Sequence, residues 1–454
     1  MSIESINPYS GETLASFESW NEEQLEVALA QVAQATPAWA TTPLAQRCDL
    51  LRRLGDTIRG RRDELAALVT AEMGKRIAEA RAEVDKCIAL CDYYAEEAAK
   101  FLADEVIESD ASKSLVAYEP LGTVLAVMPW NFPVWQVLRF AVPALAAGNT
   151  GVLKHASNVP QCALAIEQLI RDTGFPQDVF RTLMIDAKDV ARVIADPRIH
   201  AVTLTGSEAA GRKVAACAGE HLKKSVLELG GSDPFVVLDD ADLELTVSQA
   251  ITSRFMNAGQ TCIAAKRFIV VDSIAEDFVA RYITAIRELQ AGDPMDENIT
   301  LAPMARADLR EEIHSQVEAS IAAGAELKTG GDNIEGTGNF YQPTLLDKVS
   351  PGMPAYDEEL FGPVAAVIRV RDEAEALSVA NNTRFGLGSS VWTQNNERGE
   401  AFARKLEAGC VFVNGMVKSD PRLPFGGIKA SGFGRELSHH GLLEFVNAKT
   451  LWIR

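Results

Sequence analysis

Cys262 closes the run Asn257-Ala258-Gly259-Gln260-Thr261-Cys262, a short polar turn entered from the apolar segment Leu243 to Phe255. A thiol at the end of such a turn can be presented to an electrophilic carbon, with backbone N–H dipoles around the sulfur to lower its pKa. A lone cysteine is also a good small hydrophobe, so the turn alone leaves both roles open. Two further stretches supply what a nucleophilic thiol needs. Leu227-Glu228-Leu229-Gly230-Gly231 sets a carboxylate between apolar neighbours at a strand end. Burial there raises its pKa into the range of a general base, unless it is simply a paired structural carboxylate. Met128-Pro129-Trp130-Asn131-Phe132-Pro133 places an amide at a strand-to-helix turn, where it can cap a helix or donate to an oxyanion.

Together the three residues match the needs of aldehyde oxidation. An aldehyde releases hydride only after a nucleophile adds and charges its oxygen. Cys262 would add, the Asn131 amide and the Cys262 N–H would hold the oxyanion, and hydride would pass to a nicotinamide on the strand ends. Glu228 would then activate water to hydrolyse the resulting thioester. The cofactor has candidate ligands in Lys154, ending the apolar strand Val152-Leu153-Lys154, and in the Thr205-Gly206-Ser207 turn, whose N–H groups and helix dipole suit a pyrophosphate. Neither the Rossmann G-x-G-x-x-G nor the P-loop signature is present.

A helix is expected after Phe132-Pro133, which puts Asn131, Trp135 and Arg139 at i, i+4 and i+8 along one face. An arginine amid Val134, Val137, Leu138 and Phe140 needs an anionic partner. That partner is an internal carboxylate or, through the planar fork of the guanidinium, a carboxylate at the far end of a substrate.

The elements that must hold these residues follow from periodicity. Residues 22 to 105 read as helices, with amphipathic stripes at Glu23 to Ala35, Leu44 to Arg59, Arg62 to Met73 and Ile77 to Phe101. Ser112 to Glu119 reads as a strand that Pro120-Leu121-Gly122 turns into a second, Thr123 to Met128. Strand-like runs (150–153, 181–185, 201–205, 225–229) then alternate with helical ones (161–173, 187–195, 209–218). A second alternating series runs from Asp233 to about Arg435. Such alternation makes an α/β fold with mostly parallel, doubly wound sheets and ligands at the carboxyl ends of the strands. The tail from Glu444 to Arg454 alternates apolar residues and should pair within its own subunit or with a neighbour.

Composition bounds the partners. The 454 residues carry a formal net charge of -19, which repels nucleic acid and anionic lipid. No apolar run approaches the length of a membrane span. No export signal is visible at Met1-Ser-Ile-Glu-Ser-Ile-Asn-Pro, and a cytoplasmic protein is expected. Seven scattered cysteines, with no CxxC and no Cys/His cluster, suggest neither disulfides nor metal.

The chain resembles the aldehyde dehydrogenase superfamily over nearly its whole length. The resemblance is carried by Pro-Trp-Asn-Phe-Pro at 129–133, the Lys154 strand end, Thr-Gly-Ser at 205–207, Leu-Glu-Leu-Gly-Gly at 227–231 and Gly-Gln-Thr-Cys at 259–262. Glu358-Glu359-Leu360-Phe361-Gly362-Pro363 and the glycine-rich Pro424 to Glu436 complete it. It implies a Rossmann-like cofactor domain (1–102 and 121–228), an α/β catalytic domain bearing the nucleophile (229–435) and a small β oligomerisation arm (103–120 and 436–454). It also implies a cofactor site at Met128, Pro129, Trp130, Lys154, Ser157, Gly206, Ser207 and Leu229, with Glu359 on the nicotinamide ribose and Phe361 against the ring. A homodimer or homotetramer is expected, with no nucleic-acid or membrane partner.

Departures from the family pattern refine the reading. The strand-end signature Lys-Pro-Ala/Ser-Glu is here Lys154-His155-Ala156-Ser157. The missing glutamate resembles NADP-using succinate-semialdehyde dehydrogenases, so NADP is favoured over NAD. Those relatives often carry a second cysteine beside the nucleophile, whereas Ile263 and Ala264 follow Cys262 here. They also carry an arginine at the position of Arg139 and a second carboxylate ligand that Ser419 resembles, which implies substrate binding by Arg139, Trp135 and Ser419. Succinate semialdehyde is the expected substrate; glutarate semialdehyde and aliphatic aldehydes are the alternatives. A coenzyme-A-acylating enzyme is the nearer rival mechanism, and a non-catalytic binding protein on this scaffold the more distant one.

Overall fold

Four sheets, three of which organise the chain, are present in this computed structural model, which describes residues 2–454. The first has six strands in the order Gly432–Phe433, Lys224–Glu228, Ile199–Thr205, Thr123–Met128, Thr150–His155 and Phe180–Thr182. All of its pairs are parallel except the one made by Gly432–Phe433. Val124, Leu125 and Ala126 of its central strand are all buried, the continuous apolar run of a strand covered by helices on both faces.

The second sheet has seven strands, Glu326–Thr329, Thr344–Asp347, Val364–Val370, Ala265–Val271, Asp233–Val237, Gly388–Trp392 and Cys410–Val413 in spatial order. Only the edge strand Glu326–Thr329 is antiparallel to its neighbour. The third sheet is a small antiparallel arm in which Val446–Ile453 pairs with Lys113–Pro120, and that strand with Glu105–Val106. The C-terminal strand therefore finds its partner in its own chain, and its outer edge is left open.

The doubly wound α/β reading holds, and the helices at 44–60, 62–73 and 77–101 start and stop within a residue of the expected bounds. Three details differ. The strands before and after Pro120-Leu121-Gly122 belong to different sheets, because Gly122, at φ +128°, redirects the chain from the arm into the first sheet. Residues 2–18 form a hairpin of Ser2–Ile6 and Thr13–Glu18 that periodicity over such short runs does not reveal. Finally, a boundary at 435 puts Gly432–Phe433 with the second unit, whereas it pairs with Glu228 and Leu227 of the first sheet. Gly432, at φ +109°, approaches the Leu227 carbonyl so closely that a Cβ would stand 2.0 Å from it, which explains how the chain returns there.

Candidate active site

The helix Leu243–Phe255 is capped by Asp242, whose carboxylate accepts from the Glu244 and Leu245 N–H groups. It ends in a tight turn, with Asn257 and Ala258 both in the left-handed region (φ 54° and 52°). Such a conformation persists in non-glycine residues only where the surroundings hold it. Arg254 holds it here. Its wholly buried guanidinium donates to the carbonyls of Gly259 (2.6 Å), Gly362 (2.9 Å) and Ala265 (3.2 Å). One side chain thus ties the nucleophile turn to the loop carrying Glu359 and Phe361.

Cys262 follows, half-buried, and its N–H has no acceptor among the described residues. Lys266, one residue into the next strand, donates to the Cys262 carbonyl at 2.7 Å and pairs with Glu359 at 3.1 Å. Burial pushes the thiol up to about 11, although the Arg139 and Lys266 charges pull the other way. The expectation of a depressed thiol pKa is therefore corrected: the desolvation penalty on a thiolate exceeds what two nearby cations return.

Asn131 meets this turn from the first sheet. Its Nδ2 donates to the Gln260 carbonyl at 3.0 Å, and Asn257 Nδ2 donates back to the Asn131 carbonyl at 3.0 Å. The amide is thereby fixed with its second N–H free. Glu228, at the end of its strand, is 2% exposed, and neither carboxylate oxygen has a partner among the described residues. Burial first and the neighbouring Glu436 second raise its pKa well above the carboxylate range, against the pull of Arg139 and Arg435. Its Oε1 lies over Gly426, where a Cβ would stand 2.6 Å away. That close fit gives the glycine-rich segment a physical reason at this position.

Cys262, Asn131 and Glu228 share a cleft of about 810 Å³ between the two large sheets. Pro129, Trp130, Gly206, Ser207, Leu229, Glu359 and Phe361 also line it. Ser207 caps the Glu208–Glu220 helix by accepting from the Ala210 N–H at 3.3 Å, so that helix presents its N-terminus to the cleft. Trp130 and Phe361 meet edge to face at 5.8 Å. Met128, Lys154 and Ser157 lie off the cleft wall: Met128 is buried in its strand, and Ser157 is exposed in the turn after the Lys154 strand end. Lys154 makes no ion pair among the described residues, and burial lowers its pKa. His155, where the family pattern has proline, clamps the two loops together. Its Nδ1 accepts from the Ala156 N–H, so Nε2 carries the proton and donates to the Pro133 carbonyl at 2.9 Å. Burial lowers its pKa to about 4, which keeps it neutral.

The nominated substrate residues are placed differently from one another. Arg139 has the internal partner that the sequence left open. It is ion-paired with Glu436, donates to Thr205 Oγ1 at 3.3 Å and lies over the Phe425 ring. Glu436 is the internal carboxylate that the sequence offered as one of two partners, and it keeps the buried guanidinium charged. Trp135 is buried rather than lining the cleft, its ring covered by the Lys86 ammonium at 4.2 Å. Ser419 is buried and accepts a hydrogen bond from the same ammonium.

Sequence reasoning assigned no role to Arg254, Lys266, Glu436 or Lys86. A charged residue on an otherwise apolar face was the available signal, as it was for Arg139. Among the described residues no group of acidic, cysteine and histidine side chains could hold a metal, and no helix is long and apolar enough to cross a membrane.

A profile of the aldehyde dehydrogenase family matches residues 1–451. A "probable succinate-semialdehyde dehydrogenase", NADP(+), of Synechocystis sp. is 52% identical over 453 residues, covering 100% of both chains. A succinate semialdehyde dehydrogenase, NAD(P)+, of Escherichia coli is 49% identical over 99% of this chain and 97% of its own. The crystal structure of succinic semialdehyde dehydrogenase from Streptococcus pyogenes in complex with NADP+ superposes with a TM-score of 0.97, at 39% identity over 99% of both chains.

Proposed function

The chain belongs to the aldehyde dehydrogenase family, and from that premise we propose that it oxidises succinate semialdehyde to succinate with NADP, NAD serving less well. The observation that carries the reading is the meeting of a fixed amide, a free backbone N–H, a thiol and a raised-pKa carboxyl in one cleft.

The residues fit the cofactor. Lys154 is a buried cation with no ion pair among the described residues, a charge that a phosphate would satisfy. Gly206 and Ser207 open a helix whose N-terminus favours a pyrophosphate. Glu359, fixed by the Gly231 N–H at 3.0 Å on the cleft wall, would accept from a ribose hydroxyl. When bound, the nicotinamide supplies the hydride acceptor.

Everything else falls to the chain. The Cys262 thiol gives up its proton to solvent as its sulfur adds to the aldehyde carbon. The resulting oxyanion takes hydrogen bonds from Asn131 Nδ2 and the Cys262 N–H, donors already fixed before the substrate arrives. Loss of hydride leaves a thioester on Cys262. Glu228, a strong carboxylate base once it has released its proton, draws a proton from water as the oxygen attacks. The thioester C–S bond breaks, the acid departs, and the proton held by Glu228 passes to the leaving sulfur, which restores the thiol and the carboxylate. A base poised for hydrolysis is wasteful for a coenzyme-A-acylating enzyme, which needs the thioester intact.

The same reading makes the protein a cytoplasmic homodimer or dimer of dimers. Its seven free cysteines suit a reducing compartment, and the open edge of the Val446–Ile453 strand suits a neighbouring subunit. The catalytic residues are tested by Glu228→Gln. A stoichiometric burst of reduced cofactor followed by slow turnover is expected, while Cys262→Ala gives no burst and still binds NADP. An unaltered steady-state rate in Glu228→Gln would remove Glu228 from the mechanism, and acid formation that depends on coenzyme A would replace hydrolysis by acyl transfer.

A further inference from the structure

The helix Trp135–Ala147, which follows the Asn131 turn, has no side-chain cap of its own. Its first N–H groups are taken instead by a carboxylate from another helix. Glu83, on Ile77–Phe101, accepts from the Val134 and Trp135 N–H groups through one oxygen, each at 2.9 Å. Its other oxygen pairs with Lys75, and both side chains are fully buried. The Lys75 ammonium in turn lies 3.6 Å from the centre of the Phe132 ring. Residues 132, 134 and 135, directly after Asn131, are thus anchored together.

One turn earlier on the same helix, Glu79 does the equivalent for the nucleophile turn. Both of its oxygens accept from the Asn257 N–H at 3.3 Å. Arg76 holds that carboxylate at 2.8 Å and donates to the Ile299 carbonyl at 2.9 Å. Asn257 is the first of the two left-handed residues that bring the chain round to Cys262. Residues four apart share a helix face and stand about 6 Å apart along its axis. The two oxyanion donors, Asn131 Nδ2 and the Cys262 N–H, belong to the two turns so held. The bonds that join these turns directly run through Asn131 itself, to the Gln260 carbonyl and from Asn257. They tie the turns to each other but leave both backbones to be placed from behind. A buried ion pair stabilises a fold no better than apolar packing; what a carboxylate adds is a directional hold on N–H groups.

We propose that Glu79 and Glu83 are positioning residues: one helical turn apart, they set the gap between the Asn131 amide and the Cys262 N–H, with Lys75 holding Glu83 in place. The inference rests on the thiol mechanism above and deepens it. Neither carboxylate lines the cleft; both act through backbone N–H groups from outside it.

The test is the single-turnover rate of NADP reduction at saturating succinate semialdehyde, in the native background and in Asn131→Ala. Two variants are compared: Glu79→Leu, and Lys75→Met/Glu83→Leu, which removes both charges of the buried pair together. Each lowers the rate about 30-fold, since misplacement by an ångström can cost about 100-fold. The aldehyde concentration for half-saturation moves by less than about threefold, because the oxyanion is absent from the ground state. In Asn131→Ala no gap is left to set, and the same substitutions cost less than about threefold, a non-additive cycle. Lys75→Met/Glu83→Gln, which keeps an acceptor oxygen, recovers most of the native rate. NADP binding shows that each variant is folded, and Glu79→Leu carries the test alone if the buried pair proves necessary for folding. Losses of equal size in both backgrounds would make the carboxylates merely structural and overturn the proposal, as would a native rate in the variants. A wild-type protein that reduces neither nicotinamide cofactor with any aldehyde would instead overturn the reaction on which the proposal rests.

Discussion

Arg139 and Glu436 form an ion pair inside the protein, with 2% and 5% of their side chains exposed. Both bear on the nearby Glu228: the carboxylate of Glu436 raises its pKa and the guanidinium of Arg139 lowers it. Removing one partner of such a pair leaves an uncompensated charge, at a cost of about 3–5 kcal/mol. Arg139→Met should therefore lower the stability of the fold, push Glu228 further toward its protonated form, and slow both succinate semialdehyde and butanal. Adding Glu436→Gln should recover part of the stability. Thermal denaturation alongside kcat/KM on both aldehydes is the measurement. A loss confined to the semialdehyde, with an unchanged Tm, would assign Arg139 to the substrate carboxylate instead.

The thiol makes a prediction of opposite sign to the one its turn suggested. With its pKa near 11, the free enzyme holds little thiolate at neutrality, and the fraction rises about tenfold for each pH unit below the pKa. Alkylation of Cys262 by iodoacetamide, taken as the difference between wild type and Cys262→Ala, should climb from pH 7 to pH 9 without levelling. A plateau near pH 8 would mean that the flanking cations outweigh desolvation after all.

What the sequence disclosed and what it concealed divide along physical lines. The helix Leu243–Phe255, its turn and Cys262 could be located because capping, apolar spacing and glycine are local signals. Asn131 and Glu228 could be nominated because their residue types are unusual at strand ends. The partners were out of reach: Arg254 acts on carbonyls at 259 and 362, and Glu436 pairs with an arginine almost 300 residues away. Local sequence rules cannot see such contacts, so Arg139 was left with two possible anions. The raised thiol pKa was missed for the same reason, since desolvation depends on everything that packs around the sulfur.

The small arm predicts assembly. Leu451, Trp452 and Ile453 stand exposed on its terminal strand, as do Val106 and Ile107 on and beside the opposite one, while the outer edge of Val446–Ile453 is unpaired. Open, apolar strand edges are normally covered. Light scattering at micromolar concentration should give a dimer or tetramer, and deletion after Asn447 should reduce either the oligomer or its solubility. A monodisperse monomer of the full chain would sink the proposal.

Cofactor choice turns on the segment Lys154-His155-Ala156-Ser157. Lys154 offers a desolvated charge without an anionic partner, and Ser157 stands exposed three residues on, in the turn that His155 anchors to Pro133. A ribose 2′-phosphate brought to Lys154 meets no negative charge from this turn. A glutamate at 157 would repel it by about 1–2 kcal/mol at the dielectric of a protein surface, and could accept from free ribose hydroxyls instead. Ser157→Glu should therefore shift the NADP-to-NAD ratio of kcat/KM toward NAD by about tenfold or more. Lys154→Met should weaken NADP more than NAD, and added salt should narrow the wild-type preference, because the contact is electrostatic. Because position 157 lies outside the cleft that holds Cys262 and Glu228, kcat with saturating NAD should stay within about twofold, below roughly half a kcal/mol of barrier. If the ratio is unchanged in Ser157→Glu, the turn does not face the 2′ position, and the preference must be set from the helix that Ser207 caps.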